Sequence, residues 1–270
     1  SAAATFIGNT LGGSYWFDGS IRDPRIISRA LSAGEISLLF NKGVPGYRPV
    51  GLLGGEVLAL HPSRHDVGVL PGTVLQLDGK TGITDQSPAG NDGTYNGGMA
   101  VTAGKFVFDG TDDGINCGDV QAMNSATELS CSLWVKQTTI DTTERFYHRE
   151  VNGGTGFKLY SHAIGKLTVD VPNGASGYGW IDQSTVMTSG VWHHLVVVFN
   201  GAGATDADKL KLYVDGVQKT LTHVNTIPTS TPDLSSVDMI WGNDDDTFPF
   251  TGEMDDMRVF ASALSAGQVL

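Results

Sequence analysis

A segment that occurs twice constrains this chain more than any other feature. Residues 17–34 read FDGSIRDPRIISRALSAG and residues 250–267 read FTGEMDDMRVFASALSAG, identical at nine of 18 positions. The offset of 233 residues is that of a whole domain, far longer than a solenoid unit. Upstream, Ile7-Gly8-Asn9 matches Trp241-Gly242-Asn243 at an offset of 234, so one residue was gained or lost in between. The second copy closes a domain carried within the chain. The first is expected to close a domain whose body lies outside it, so the chain reads as a window onto a longer array.

Within the second domain, short apolar runs alternate with glycine-rich turns, and Gly makes up 36 of 270 residues. Strands are expected at Lys105–Asp109, Leu129–Lys136, Phe157–Tyr160, Lys166–Val171, Trp192–Phe199, Leu210–Val214, Val217–Leu221, Val237–Trp241 and Met254–Phe260, with Glu56–Leu60 and Thr73–Leu77 as further candidates. Residues 129–136 alternate strictly, with Leu129, Cys131, Leu133 and Val135 on one face. Residues 192–199 (WHHLVVVF) are apolar on both faces, as a central strand covered on both sides would be. Asp215-Gly216 is a two-residue hairpin signal, because a type I′ turn needs positive φ at both central positions. Ser32-x-x-Glu35 and Ser265-x-x-Gln268 each form a capping box, so a short helix is expected after each copy of the repeat. Residues 43–55 (GVPGYRPVGLLGG) have the composition of a linker. Regularly spaced strands with almost no helix indicate an antiparallel sandwich or jelly roll.

The charge narrows the partners. With 29 acidic against 17 basic residues the chain carries a net −12, which works against nucleic acid and anionic membranes. No apolar run approaches the roughly 18 residues needed to span a bilayer, so no membrane insertion is expected. Ser1-Ala2-Ala3-Ala4 has neither the basic start nor the apolar core of a secretory signal. Cys117 and Cys131 permit one disulfide at most; the alternative is two buried thiols acting as small apolar side chains.

The segments SPAGNDGT (87–94), GKFVFDGTDDGINCGD (104–119), LSCSLWVK (129–136), GVWHHLVVVFNG (190–201), LKLYVDGVQ (210–218) and FTGEMDDMRVFASALSAGQV (250–269) occur in an order that resembles a concanavalin A-like, laminin-G-type jelly-roll domain. The resemblance implies an all-β, antiparallel two-sheet sandwich with one short capped helix after the closing strand. It divides the chain into residues 1–42, the closing strands and helix of a preceding copy; 43–55, a linker; and 56–270, the sandwich. One departure stands out: where members carry an aromatic-Asp pair on the opening strand, this chain has Leu77-Asp78.

Fold alone does not choose between lectins, glycosidases, adhesion modules and spacers. Retaining glycosidases of similar fold place acids on alternate strand positions, and the nearest match here, Glu253-Met254-Asp255-Asp256, lacks a third acid. Only the Asp and Arg of that stretch recur in the first copy (Asp23 and Arg25, Asp256 and Arg258), so they are read as bracing the closing strand. His193-His194 lies within an apolar strand and is read as structural. No enzymatic activity is expected.

For a metal, Asp109, Asp112 and Asp113, together with Asn243 and Asp244, offer the oxygen clusters that calcium takes, and Asn91-Asp92 could join them. In similar domains a calcium links an early loop to the closing strand, which implies Asp256. The alternative is that these acids are solvated loops and Asp109 shapes a turn. For carbohydrate, Trp180 and Tyr178, set among glycines in an expected loop, are the best stacking residues, followed by Tyr147 and His148. Trp134 and Trp192 are expected in the core.

These readings favour a non-catalytic recognition module of an extracellular, cell-surface or virion-surface protein, binding glycan or protein through sandwich loops with calcium as a candidate cofactor. The alternative is a structural or decoration subunit of a capsid, tail or filament, in which neighbouring sandwich domains or subunits are the partners.

Overall fold

The structure is a computed structural model that describes residues 25–27, 56–59, 72–140, 142–151, 155–172, 177–242 and 248–269. The chain divides into two compact units, Ser1–Leu70 and Pro71–Leu270. In the first, β1 (Arg25–Ile27) pairs antiparallel with β2 (Glu56–Ala59). Of residues 56–60, placed in the sandwich by the sequence reading, Glu56–Ala59 supply a partner for the strand of the first repeat. The rest of that repeat, its expected helix and the linker at 43–55 lie outside the described residues.

The second unit is a two-sheet antiparallel sandwich. Its strands are β3 (Thr73–Leu77), β4 (Thr94–Asn96), β5 (Ala100–Thr102), β6 (Lys105–Asp109), β7 (Gly114–Asn116), β8 (Glu128–Gln137), β9 (Glu144–Val151), β10 (Thr155–His162), β11 (Lys166–Asp170) and β12 (Tyr178–Asp182). They are followed by β13 (His193–Asn200), β14 (Leu210–Val214), β15 (Val217–Lys219), β16 (Thr222–Val224), β17 (Ile240–Trp241) and β18 (Thr251–Phe260). The front sheet runs β16-β12-β11-β10-β9-β17-β7-β4, and the back sheet runs β15-β14-β13-β8-β18-β6-β5 with β3 also on β18. Among the described residues no helix is long and apolar enough to cross a membrane.

Period-two patterning places the core. Leu129, Cys131, Leu133 and Val135 of β8 are fully buried, as are Phe157, Leu159, Leu167 and Val169 of the front sheet. All belong to one apolar cluster, and each such side chain contributes roughly 1.5–3 kcal/mol by leaving water. Central β13 is covered on both faces, since outward-facing Val196 and Val198 are also buried. Asp215 and Gly216 adopt φ of 53° and 76°, the hairpin geometry that their sequence demands. Cys117 and Cys131 are both buried and free, and burial pushes both thiols up.

The closing strand carries the recurrent Asp and Arg as a local brace. A bulge falls between Asp255 and Arg258, Asp256 takes φ +48°, and Arg258 Nε donates to Asp256 Oδ1 at 2.6 Å. After β18 the chain folds back on β8, where Ser130 Oγ donates to the Ser262 carbonyl and accepts from the Leu264 amide. The expected capped helix is here a single turn. Gln268 Oε1 does accept from the Ser265 amide at 2.9 Å, but the serine hydroxyl donates to the same oxygen, so only half of the box forms. A complete capping box occurs instead at α1 (Asp206–Lys209), between Thr205 and Asp208.

Candidate functional site

The outer face of the front sheet gathers most of the chemistry that the core does not use. On β10, β11 and β12 the sequences FKLYSH (157–162), KLTVD (166–170) and YGWID (178–182) send alternate residues inward and outward. Register then aligns the outward set in rows: His148, Lys158, Asp170 and Tyr178 in one, Arg145, Tyr160, Thr168 and Trp180 in the next. Directly opposed side chains in such rows lie about 5 Å apart, and the next residue on the same face about 7 Å along the strand.

Trp180 and Tyr178 therefore belong to a strand and not to a loop. Their glycine neighbours are there for close packing: a Cβ on Gly177 would come within 2.5 Å of the Thr226 carbonyl, and one on Gly179 within 2.9 Å of Leu221. Both aromatic rings are half-buried. The Lys166 ammonium sits 3.6 Å from the Trp180 ring centroid, covering one face in a cation–π contact.

Beside the rings lies a chain of paired charges. Glu150 accepts from Arg145 at 2.5 Å and from Lys158, and the Lys158 ammonium stands 3.5 Å from Asp170 Oδ2. Burial alone would raise the Glu150 carboxyl, but the Lys158 hydrogen bond and the two cations outweigh it and hold it below the usual range. Asp170 goes the other way: burial raises it, against the pull of Lys158. Its Oδ1 is buried and accepts no hydrogen bond. The Arg145 guanidinium lies 5.5 Å from the centroids of both Tyr160 and Phe248. Burial, then the Asp170 charge, push Tyr160 up to about 12.

Two of the four expected ligand residues need correction. Tyr147 is fully buried on the inner face of β9, stacked on Phe157 and edge-on to Trp241. His148 shares the row of Asp170 and Tyr178 but is only 4% exposed, between Lys158 and Ile240. Alternation turns Tyr147 to the face opposite His148, while His148, on the outer face, is hemmed in by the strands on either side. Conversely, Trp134 and Trp192, expected in the core, are half-buried. Trp134 stacks on His194 of the neighbouring strand with centroids 5.1 Å apart, and Lys105 lies 5.3 Å over Trp192. His193, read as structural, bonds Asp215 through Nδ1 and accepts from the Thr188 amide through Nε2. Arg145, Glu150, Lys158, Tyr160 and Asp170 were not singled out from sequence, although the K-x-Y, K-x-T-x-D and Y-x-W-x-D alternations carry the signal.

The acids sort into separate groups. Asp109, Asp112 and Asp113 place one carboxylate oxygen each within 4.8 Å of one another. Asp113 is 3% exposed; its Oδ2 accepts from the Asp109 amide, and no hydrogen bond reaches its buried Oδ1. Burial raises the Asp113 carboxyl, and the charges of Asp109 and Asp112 add to the rise. Asp256 does not join this group, being held by Arg258. Asn91 and Asp92 do not join it either: Asn91 donates to the Val74 carbonyl and Asp92 accepts from the Asp85 amide. Asn243 and Asp244 lie outside the described residues. On the back sheet Glu253 bridges Lys105 at 3.1 Å and Lys136 at 2.7 Å, and Asp255 accepts from the amides of Gly79 and Asp256.

Similar proteins agree with this architecture. Domain 4 of AbnA, a GH43 extracellular arabinanase from Geobacillus stearothermophilus, solved with arabinotriose, superposes with a TM-score of 0.53 at 21% identity, over 73% of this chain and 96% of that one. The receptor binding domain of botulinum neurotoxin C/D mosaic serotype gives 0.55 at 17% identity, over 72% of this chain and 49% of that one. The serotype D ligand binding domain in complex with N-acetylneuraminic acid gives 0.57 at 16%, over 73% and 49%. The chain thus spans about half the length of the neurotoxin domains, and at these identities the likeness concerns fold alone. A search of curated proteins finds no match. The family model described as the concanavalin A-like lectin/glucanases superfamily matches residues 109–270, more than half of the sequence. The chain belongs to the concanavalin A-like lectin/glucanases superfamily.

Proposed function

We propose that this chain is a non-catalytic recognition module of an extracellular or virion-surface multidomain protein, and that it binds glycan on the outer face of the front sheet. The observation that carries the reading is the alignment of Tyr160, Tyr178 and Trp180 with a row of polar and charged groups on one sheet face. Aromatic rings supply the stacking surface for a sugar ring, and neighbouring carboxylates and amines meet its hydroxyls. The strand face, rather than the loops, is the binding element. Fold neighbours solved with arabinotriose and with N-acetylneuraminic acid support a sugar as the ligand class.

Two observations favour binding over hydrolysis. A glycosidase needs one carboxyl kept protonated beside one that is ionised, with room between them for the scissile bond. Glu253 is held below the usual carboxylate range, its two lysine partners outweighing burial. On the front face Glu150 and Asp170 are close enough to share Lys158, but its ammonium fills the space between them.

The test is affinity electrophoresis and glycan-array binding of the whole chain. Trp180→Ala should weaken glycan binding at least about ten-fold, as loss of a central aromatic anchor does. No binding across broad panels, with or without calcium, or full binding by the variant, would refute the reading.

A calcium ion fits the Asp109–Asp113 loop as an accessory. Three hard oxygen donors suit calcium or magnesium, and a dication would relieve both the mutual repulsion and the unbonded Asp113 Oδ1. Calcium at about a hundred times its Kd should stabilise the protein by about 2.7 kcal/mol. Thermal melts with calcium or with a chelator would register this, and Asp113→Asn should abolish the difference. Equal melting in calcium and chelator would exclude the site.

A further inference from the structure

The charge pattern on the proposed glycan face says what kind of sugar it takes. We propose that it selects an uncharged, hydroxyl-rich glycan and rejects acidic ones, with Asp170 accepting a hydrogen bond from a sugar hydroxyl. This rests on the reading of the face as a glycan site.

The cations are already engaged. Arg145 and Lys158 both donate to Glu150, Lys158 also approaches Asp170, and Lys166 lies over the Trp180 ring. An anionic sugar could recruit Arg145 or Lys158 only by breaking bonds to Glu150, and it would then face the carboxylates of Glu150 and Asp170 at short range. Like charges so placed disfavour binding strongly. The unmet need is of the opposite kind. Asp170 Oδ1 is an acceptor removed from water with no donor to replace it. Such a group is stabilised by any donor that reaches it, and hydrogen bonds to charged acceptors are the strong ones.

Position favours a sugar over a lone donor. Asp170 is directly opposite Tyr178, and Trp180 is the next outward residue on that strand. One ring resting on the aromatic pair would bring its rim hydroxyls beside the Asp170 carboxyl, and a turn of that carboxyl away from Lys158 would bring its now buried Oδ1 out to meet them. The contact that holds Asp170 now, 3.5 Å from the Lys158 ammonium, is long enough to yield.

The decisive measurement is calorimetric titration of the whole chain with neutral oligosaccharides, arabinotriose among them, and with N-acetylneuraminic acid and a sialyl-oligosaccharide. The wild-type protein should bind a neutral sugar and show no heat with the acidic ones. Asp170→Asn, checked by its melting curve, should lose at least about ten-fold in neutral-sugar affinity. Tighter binding of the acidic sugars, lost on Trp180→Ala, overturns the selectivity and keeps the glycan face. Neutral-sugar binding unchanged by Asp170→Asn but lost in Trp180→Ala overturns the role of Asp170 alone. Binding that survives Trp180→Ala, or no binding at all, removes the glycan face and this inference with it. Should Asp170→Asn fail to fold, the wild-type preference between neutral and acidic sugars still decides the matter.

Discussion

Replacing Arg149 with methionine is expected to destabilise the sandwich by about 3–5 kcal/mol, the range for removing one partner of a buried charged network. Arg149 is fully buried at the end of β9. Its guanidinium donates to the carbonyls of Val120, Leu234 at 2.8 Å and Val237 at 3.0 Å, and to Asp119 and to Asn124 at 2.9 Å. Burial pulls its pKa down, against the hydrogen bond and charge of Asp119. Two loop segments, 119–124 and 234–237, thus close on one side chain. Methionine would fill the volume while leaving the Val237 carbonyl without its donor and the Asp119 carboxylate without its cation; the Val120 and Leu234 carbonyls keep the amides of Met123 and Val237. Arg149→Lys should rescue little, because a single ammonium cannot span acceptors placed around a planar fork. Urea unfolding reads the loss directly, and melting should fall by roughly 10 °C, at a few degrees per kcal/mol for a domain of this size. A shift under about 1 kcal/mol would mean that the loops find other donors.

The second large effect is expected at Asp85, in the turn-rich segment before SPAGNDGT. It is 8% exposed and accepts four hydrogen bonds: from the Gln76 amide at 2.9 Å, the Ser87 amide and hydroxyl at 2.8 Å each, and the Asn91 amide at 2.7 Å. Asp85→Ala leaves three backbone donors unsatisfied inside a folded loop and should cost about 3–4 kcal/mol, whereas Asp85→Asn, which keeps one accepting oxygen, should cost about half as much. Hydrogen exchange at Gln76, Ser87 and Asn91 should quicken in the alanine variant ahead of the β8 and β13 amides. Uniform exchange rates across the domain would show that the loop is held by other means.

Asp85 also illustrates how far residue pattern reaches. The conspicuous letters of SPAGNDGT resemble a metal loop, yet Asn91 and Asp92 are occupied in bracing the turn around Asp85. Strict alternation in β8 and the Asp215-Gly216 turn were readable because a two-residue period and a positive-φ requirement act locally. Strand β9 was missed because ERFYHREV shows no alternation of polarity: Arg149 faces inward as an anchor, while Arg145, His148 and Glu150 lie on the charged outer face. Strand β12 was mistaken for a loop because its glycines mark close approaches between strands, which leave the same letters as a turn.

The duplicated segment, the alternating runs and the hairpin turns were enough to establish an antiparallel sandwich closed by β18, with Asp256 and Arg258 bracing its bulge. Each rests on contacts between residues near in sequence or on a period intrinsic to the strand. The candidate site had no such local signature. Tyr160, Asp170 and Trp180 sit on three different strands, and only the pairing register puts them in neighbouring rows. A register shifted by one residue would have turned Trp180 inward and Gly179 outward. Pairing partners and burial, which depend on the whole chain, decided that Trp180 faces outward, that Tyr147 does not, and that the cations of that face are already taken.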